Sequence, residues 1–478
     1  MIGNSLPEYI FIRASIYGLR LVAPFSILYL IASFYYREWL FSHWLGIYCL
    51  IEAAFYILVY LPRTVLLQKA ALHPPLWSRE ERQALFAKCL TRMKDTDFST
   101  GWFYSKHPSA IRRDNVVEWI LWAFFSTHPS GLDEDWEEEL EGYVLMVEKL
   151  LGRKLEQGWD NTVRCMKITL DPVISLHRPF LWYLIVALVD TYTSIYLSRT
   201  GFHHYSLKKW MTYFPPRLVT VVSKTSPNPQ LSYWYRPHRS SNKTPILFLH
   251  GIGIGLLPYA PFLADLAQLD PDVGIIAIED FSISMRISPP PRRREDVLDG
   301  IRGILDYHGL QQVVVVSHSY GTVVAAHMLK DPKLSSRISA LLLADPIPFL
   351  LHRPAVAFNF VYREPRSANE WQLWYFASRD PDIARMLARH FFWADNILWK
   401  EDLAGRKVGV SLSGRDQIVD APEVWRYLTG EEEEPHLRWK KDNLEVLFYP
   451  ELDHAHVFDT EKWRRPLVDM VSTFISEE

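Results

Sequence analysis

Short apolar runs alternate with longer amphipathic segments along the carboxyl-terminal half of the chain. The runs are rich in Val, Ile and Leu and end at turn-forming residues, so they predict buried strands of a mostly parallel sheet. They cover residues 231–235, 245–250, 273–278, 313–316, 338–343, 407–413 and 444–449. A further run, Leu218–Ser223, is separated from the first of these by a turn with two prolines, which predicts an antiparallel hairpin at the sheet edge. The helical spacing of residues 294–307 completes an alternation of strands and helices that predicts an α/β domain.

The first seventy residues follow a different pattern. Leu21–Tyr36 contains no charged residue, and Trp39–Leu61 is interrupted only by Glu52. A bilayer span needs about 20 apolar residues, so the first run suffices only if it extends back past Arg20. Tyr and Trp side chains gather between the two runs, where the turn of a hairpin would meet the membrane interface. The pattern predicts a membrane hairpin over residues 1–70, and a pair of interfacial or core helices is the alternative.

Two charges within this hairpin predict an interaction. Arg20 and Glu52 would lie at similar depth in antiparallel helices, and a pair between them would offset much of the cost of each charge in hydrocarbon. Basic residues following the second run favour a cytosolic position for the rest of the chain. These residues are Arg63, Lys69, Arg79, Arg82 and Lys88. We therefore expect a membrane protein whose following domains are cytosolic, in an organelle that the sequence does not identify.

Residues 71–212 predict a separate helical region. Asn115–Phe125 and Trp136–Leu151 carry apolar residues at intervals of three and four, the spacing of one helix face. Phe180–Leu197 is apolar and aromatic, with Asp190 as its single charge. This last segment could be a third span, but the favoured interpretation is a helix lying on the membrane or over the next domain.

Composition limits the possible partners. The 478 residues carry a net charge of −3 with both signs mixed, so no nucleic-acid partner is expected. Cys49, Cys89 and Cys165 are far apart, which predicts reduced thiols rather than disulfides. The adjacent residues His203 and His204 have no third ligand nearby, and neither a metal nor a cofactor is expected. Aromatic residues make up 14%, which is typical of a membrane interface or of the lining of a lipid pocket.

The segment QQVVVVSHSYGTVVAA, residues 311–326, has the pattern of a nucleophile elbow. Four valines predict a buried strand, the segment that begins at Thr322 has helical spacing, and Ser319 lies at the apex of the tight turn between them. The crowded turn needs small residues two positions before and after the serine, and these are Ser317 and Gly321.

Three further segments supply the groups that such a serine needs. The strand at 245–250 ends in a glycine-rich turn, whose backbone would direct the N–H groups of Ile252 and Tyr320 toward a developing oxyanion. Asp416 follows the strand at 407–413, and His454 follows the strand at 444–449. Serine, carboxylate and histidine thus occur in that order, each just after a strand.

The motifs HGIGIG, SHSYG, SGRDQIV and LDHAHVF, in this order, resemble those of the α/β-hydrolase superfamily in its serine esterase and lipase branch. The resemblance begins at about Arg217 and extends to the end of the chain. It implies an α/β-hydrolase fold for residues 213–478, with a mostly parallel sheet flanked by helices. It also implies a cap at about residues 347–403, whose aromatic side chains would line an acyl pocket.

The chemistry assigns a role to each predicted site residue. Ser319 is the expected nucleophile, His454 the base that takes its proton, and Asp416 the acid that orients the imidazole. His456 is the alternative histidine. Asp345 and Asp420 are alternative acids.

Three functions follow from this reading. The favoured one is a membrane-anchored serine hydrolase that cleaves carboxylic, lipid-like esters through an acyl-enzyme, with the ester and the membrane as its partners. An acyltransferase on the same triad is the second, because His454 and Asp459 form an H-x4-D pattern. A non-catalytic membrane or scaffold protein that kept the fold is the third.

Overall fold

Two long apolar helices begin the chain in the computed structural model, which describes residues 2–93, 101–104, 106–207, 211–229 and 231–476. Helix α1 is Leu6–Tyr36, and helix α2, His43–Phe55, continues through a π-helical turn into α3, Leu61–Leu67. Ser5 and Glu8 form a capping box that fixes the start of α1. At about 1.5 Å per residue, α1 is long enough to cross the hydrocarbon of a bilayer, and so is the segment from α2 to α3. Two helices joined by a short turn are what the predicted hairpin requires, and its insertion stays a prediction.

The region after the hairpin is helical, as predicted. Part of it, residues 94–100, 105 and 208–210, lies outside the described residues. Its helices are α4 (Arg79–Leu90), α5 (Arg113–Phe125), α6 (Glu137–Leu151) and α7 (Phe180–Arg199). Helix α7 is the third of the described helices that is long and apolar enough to cross a membrane.

Glu52 is fully buried, and its partners differ from the predicted one. The backbone N–H of Phe180 donates to its carboxylate at 2.9 Å, and His177 Nε2 lies 3.3 Å from it. Tyr48 Oη donates to it as well, at 3.3 Å, whereas Arg20 is exposed. The predicted pair of Arg20 with Glu52 is therefore wrong. The carboxylate binds the first turn of α7 instead, where the helix dipole favours a negative charge.

Within the described residues, ten strands form one sheet in the order β2-β1-β3-β5-β4-β6-β7-β8-β10-β9. The strands are β1 (His203–Ser206), β2 (Lys224–Thr225), β3 (Ser232–Arg236), β4 (Ile246–Leu249), β5 (Ile275–Glu279), β6 (Val313–His318), β7 (Ile338–Ala344), β8 (Lys407–Ser413), β9 (Arg438–Lys441) and β10 (Leu444–Tyr449). The central strands from β5 to β10 are parallel, and β3 and β9 pair with their neighbours in the antiparallel sense. Both sides of the central strands are buried, which explains their near-continuous apolar sequences. The predicted mostly parallel sheet is confirmed.

Helices cover both faces of this sheet. Those before the cap are α8 (Val219–Val222), α9 (Ala260–Leu269), α10 (Arg294–Tyr307), α11 (Gly321–Lys330) and α12 (Pro332–Ser335). Between β7 and β8, where the cap was expected, lie α13 (Ala355–Ala357), α14 (Ala368–Leu373), α15 (Pro381–His390) and α16 (Trp393–Asn396). Helices α17 (Ala421–Thr429) and α18 (Glu461–Ile475) complete the domain. The α/β-hydrolase architecture is confirmed.

The predicted edge hairpin is wrong in one strand. The β-branched run Leu218–Ser223 contains the helix α8, and β1 pairs with β3 in its place. Three of its four apolar residues do not enter the core: Leu218, Val221 and Val222 are 66%, 72% and 81% exposed, and only Val219 packs against it. Strand propensity reflects packing on a half-buried sheet surface, and this run has no such surface to pack on.

The amino-terminal part of α1 packs on the cap. Ile12 and Ile16 are buried in a cluster with Ala368 and Tyr375. The Arg13 guanidinium lies 3.7 Å from the centre of the Trp371 ring, a cation–π contact. Helix α1 therefore contacts the part of the molecule that lies over the carboxyl ends of the central strands.

Candidate active site

The turn between β6 and α11 holds Ser319 in a strained backbone conformation. Its φ is +51°, in the left-handed region that non-glycine residues rarely adopt, and its N–H donates to the Ala344 carbonyl at 3.0 Å. Helix α11 passes very close to β4 immediately afterwards. A Cβ at Gly321 would lie 2.2 Å from the Leu249 carbonyl oxygen, so this position requires glycine. This contact explains why a small residue is needed two positions after the serine.

Ser319, His454 and Asp416 form a continuous hydrogen-bonded series. Ser319 Oγ lies 2.8 Å from His454 Nε2, and His454 Nδ1 lies 2.7 Å from Asp416 Oδ2. The other oxygen of Asp416 accepts the N–H groups of Ile418 at 2.7 Å and Val419 at 3.0 Å. The carboxylate is thereby fixed with one oxygen toward the imidazole. Such a series can pass a proton from a hydroxyl to an imidazole and stabilise the resulting cation.

The environment of His454 favours its charged form. Burial alone would lower the pKa of this imidazole, but the adjacent Asp416 carboxylate outweighs burial and raises the pKa to about 9. The proton that His454 would receive from Ser319 is therefore held more strongly than by an unperturbed imidazole.

The alternative acids and the alternative histidine predicted from the sequence have other roles in the structure. Both oxygens of Asp345 accept backbone N–H groups, from Ser413 at 3.0 Å and Ala455 at 2.8 Å, so this carboxylate supports the two loops that carry Asp416 and His454. Asp420 caps α17. His456 Nε2 lies 4.0 Å from Asp459, and His456 Nδ1 accepts the N–H of Asp453 at 3.3 Å.

A buried chain beneath the turn was not predicted. Tyr259 Oη accepts the N–H of Gly251 at 3.1 Å and lies 2.8 Å from His318 Nδ1, to which it donates. Burial lowers the pKa of His318 to about 4, so the ring is neutral and carries its proton on Nε2, 3.6 Å from Asp345. The chain joins the glycine-rich turn to the strand that bears Ser319. Its tyrosine lies 60 residues before Ser319, and no motif marks it.

Asp453, also not predicted, joins the histidine loop to three other segments. Its carboxylate accepts the N–H of His454 at 2.7 Å, the N–H of Gln417 at 3.0 Å and the side-chain amide of Asn369 in the cap at 2.5 Å. The backbone N–H of Asn369 donates in turn to Asn4 Oδ1 at 3.1 Å. The segment before α1 is thus connected, through the cap, to the residue next to His454. The position of Asp453 beside the predicted histidine was the one available sequence signal.

The predicted oxyanion donors lie beside Ser319. Ile252 and Tyr320 both line the cavity that contains the serine. A Cβ at Gly251 would lie 2.7 Å from Ser319 Cβ, so the absence of a side chain there lets the glycine-rich turn approach the serine.

The cavity above Ser319 has an apolar wall. Its lining beyond the serine and the two expected oxyanion residues is almost entirely aliphatic and aromatic: Ile168, Ile347, Val356, Ala357, Phe360, Val361, Leu387, Phe391 and Ile418. The helical region, the cap and the acid loop each contribute to it. An uncharged acyl chain is the kind of group that such a wall accommodates.

One cluster in the described part of the chain has the composition of a metal site. Candidate ligand atoms of His318, Asp345 and His454 lie within 4.8 Å of one another. Both ring nitrogens of His454, however, are already engaged with Ser319 and Asp416. The donor set therefore does not fit a metal, for which each histidine must offer a free nitrogen.

Comparison with known proteins bears on the domain as a whole. Residues 246–470 match the model of a family described as the alpha/beta hydrolase family. Similar solved structures include a membrane phospholipase A described as a bacterial virulence factor, with 11% identity over 62% of this chain and 93% of its own, and a TM-score of 0.40. A putative aryl esterase from Burkholderia cenocepacia has 16% identity over 52% of this chain and 96% of its own, with a TM-score of 0.34. A thermophilic esterase from Thermogutta terrifontis has 12% identity over 52% and 95%, with a TM-score of 0.36. A search of curated proteins found no significant match.

Gly321→Ala should destabilise the protein by about 1–3 kcal/mol or more, because the added methyl group meets backbone that is fixed in the sheet. Gly303→Ala in α10 is the matched control, since a Cβ there meets no atom within 4 Å. Alanine should stabilise that helix by roughly 0.5–1 kcal/mol. Thermal unfolding of the detergent-solubilised protein measures both changes. Equal midpoints for the two variants would contradict the close approach of α11 to β4.

The reactivity of Ser319 toward a fluorophosphonate should rise with pH up to about 9, because only neutral His454 can accept the serine proton. Asp416→Asn should shift this rise to lower pH, since burial alone lowers the pKa of the imidazole. The rate should also fall on the order of 10⁴-fold, because an amide facing Nδ1 favours the tautomer with the proton on Nε2. The pH dependence of the labelling rate measures both effects.

Asp345→Asn is the matched control for this experiment. It removes a charge that raises the pKa of His454 less than Asp416 does, so the rise should move by a smaller amount. If the rise of the labelling rate shifts to lower pH in Asp345→Asn and is unchanged in Asp416→Asn, Asp345 is the acid that orients His454.

Proposed function

We propose that this chain, whose residues 246–470 match the model of the alpha/beta hydrolase family, is a membrane-anchored serine hydrolase that cleaves lipid-like carboxylic esters through an acyl-enzyme. The family match supports a hydrolase. The serine mechanism is carried by one observation, the hydrogen-bonded series from Ser319 Oγ through His454 to Asp416. The apolar cavity at the serine supports an acyl group as the part of the substrate bound there.

Each group in the series has a step in this reaction. His454 Nε2 removes the proton of Ser319 as Oγ attacks the ester carbonyl carbon, and the N–H groups of Ile252 and Tyr320 stabilise the oxyanion. The tetrahedral intermediate collapses, and the leaving alcohol takes the proton from His454. Water then attacks the acyl-enzyme through the same base, which returns the proton to Ser319 and releases the carboxylic acid. Asp416 stabilises the imidazolium in both halves.

The membrane anchor is supported by three apolar helices with exposed apolar faces. The outward side chains of α1 and α2 include Phe25, Leu28, Ile31, Leu50 and Ile51, which are between 43% and 60% exposed. Helix α7 exposes Leu184, Ile185, Leu188 and Ile195. Contiguous apolar surface of this extent is characteristic of a membrane contact. A membrane on this side would supply the lipid-like ester.

Acyl transfer remains the alternative outcome for the same triad. The Asp459 carboxylate of the H-x4-D pattern lies 4.0 Å from His456 Nε2, whereas the two ring nitrogens of His454 face Ser319 and Asp416. This arrangement offers no reason to favour an acceptor other than water. With a labelled ester and excess alcohol or lysolipid, free fatty acid should dominate the product.

Ser319→Ala should abolish fluorophosphonate labelling and lower ester hydrolysis by on the order of 10⁴-fold or more, because it removes the nucleophile. Ser317→Ala is the matched control. Ser317 is buried two residues earlier, and its hydroxyl makes only a long bond of 3.4 Å to the Leu342 carbonyl, so labelling should persist. In-gel fluorescence and hydrolysis of a p-nitrophenyl ester measure the two activities. Labelling that survives in Ser319→Ala would refute the proposed nucleophile.

Leu28→Asp combined with Ile31→Asp should move the protein from the membrane pellet to the supernatant after an alkaline carbonate wash. Each carboxylate costs roughly 2.5–3.5 kcal/mol near the centre of a bilayer. Leu437→Asp is the control, because Leu437 is 68% exposed but lies next to β9, far along the chain from the apolar helices. Retention of the double variant in the pellet would count against insertion of the hairpin.

The orientation is tested separately, by protease access to sealed microsomes. If both ends of the hairpin are cytosolic, protease added outside the microsomes should cleave the amino-terminal segment and the hydrolase domain alike. Protection of the hydrolase domain would reverse the predicted orientation.

A further inference from the structure

A second cavity adjoins the one at Ser319, and Phe391 belongs to the wall of both. The second cavity lies between the helical region and the end of the cap. Ile168 lines the first cavity and its neighbour Thr169 lines the second. Phe391 and the backbone at Ile168 and Thr169 thus belong to the partition between the two spaces.

We propose that the second cavity receives the distal part of a long acyl chain bound at Ser319, and that Phe391 is the residue that limits chain length. This inference rests on the proposed function, because it concerns the acyl group of the same acyl-enzyme. It adds the class of substrate, an ester of a long-chain fatty acid, and a residue that limits how much of that chain can be bound.

The lining of the second cavity suits hydrocarbon. It includes Trp77, Leu85, Trp122, Phe124 and Trp393, whose side chains offer a broad apolar surface. Its two charged residues are accounted for. Arg82 is paired with Glu139 and also donates to the Trp77 carbonyl. Burial raises the pKa of the Asp395 carboxyl, which favours its neutral form. No residue of this wall requires a polar ligand.

The two sides of the partition differ in how firmly they are held. Thr169 is fixed by the indole N–H of Trp122, which donates to its hydroxyl at 3.1 Å. Phe391 follows the last residue of α15 with non-helical dihedral angles, φ −96° and ψ 82°. Its ring has no polar atom and is held by packing alone, and its centre lies 6.4 Å from that of Tyr320, next to the nucleophile. The ring is therefore the part that can move or be removed to join the cavities.

The experiment compares kcat/KM for p-nitrophenyl butanoate, octanoate and hexadecanoate in mixed micelles of one detergent. Phe391→Ala should raise the ratio of the hexadecanoate to the octanoate value by about tenfold or more, because rejection of even one methylene group is worth that much. Ala123→Leu, which adds bulk to a residue that lines the second cavity and not the first, should cancel this rise when the two changes are combined. Labelling rates with long-chain and short-chain alkyl fluorophosphonates give a second readout that needs only a reactive serine.

Leu387→Ala is the matched control. Leu387 lines the first cavity but not the second, so a change in chain preference produced by this variant should be insensitive to Ala123→Leu. If Phe391→Ala leaves the ratio unchanged, or if Ala123→Leu fails to cancel the rise, the inference is overturned. Should Phe391→Ala fail to fold, Ala123→Leu alone must lower the ratio, and an unchanged ratio overturns the inference equally.

The two proposals fail in different ways. Loss of the proposed function would appear as wild-type protein that hydrolyses none of the three esters and is not labelled at Ser319. Loss of this inference alone would appear as an active, labelled enzyme whose chain-length ratio does not respond to Phe391 and Ala123.

Discussion

The candidate site depends on how closely three stretches of backbone approach one another around Ser319. The serine holds a left-handed φ of +51°, and this brings its hydroxyl out of the sheet toward His454. Two glycines allow this conformation, because Gly321 packs without a side chain against β4 and Gly251, in the turn after β4, packs without one against Ser319. Strain of about 1–3 kcal/mol at one residue is thus offset by the packing of a whole sheet. Ser319, His454 and the glycine-rich turn come together because of this single contact region.

Two buried carboxylates fix the loops that follow the carboxyl ends of the central strands. Asp345 binds the backbone of the acid and histidine loops, and Asp453 binds the acid loop, His454 and the cap through Asn369. Burial of an unpaired carboxylate costs several kcal/mol, but each of these oxygens accepts N–H groups that would otherwise also be unpaired. The result is a histidine whose position depends on residues from four segments. The last of these segments precedes α1, so the geometry of the site and the seating of the amino-terminal helix are linked.

The accuracy of the sequence-based predictions follows from where each signal lies. Val313–Val316 predicted a buried central strand because burial on both faces demands an apolar residue at every position. The same reasoning failed at Leu218–Ser223, where apolar residues face outward instead, and only the surroundings distinguish the two cases. Ser319, Asp416 and His454, which the structure joins by hydrogen bonds, could be singled out because each follows a strand in a fixed order. Asn369 and Tyr259 could not, since their partners are 84 and 59 residues away in the sequence and no local pattern encodes such contacts. Glu52 illustrates the same limit, because His177 and Phe180, which bind its carboxylate, lie outside the hairpin that contains the predicted partner Arg20.

Helix α7 constrains how the hydrolase domain can approach a membrane. Its inner face carries Asp190, whose carboxylate pairs with Arg217 at 3.0 Å and Arg286 at 3.1 Å, and both arginines are buried in the hydrolase domain. Breaking a buried pair of this kind costs about 3–5 kcal/mol, because it leaves charges without partners. The helix therefore cannot leave the domain to cross a bilayer independently, although its length and composition would allow a span. Its outer face is apolar nonetheless. A membrane that contacts the apolar face of α7 must lie directly against the hydrolase domain. The lipid would then be next to the side of the sheet formed by β1, β3 and β5.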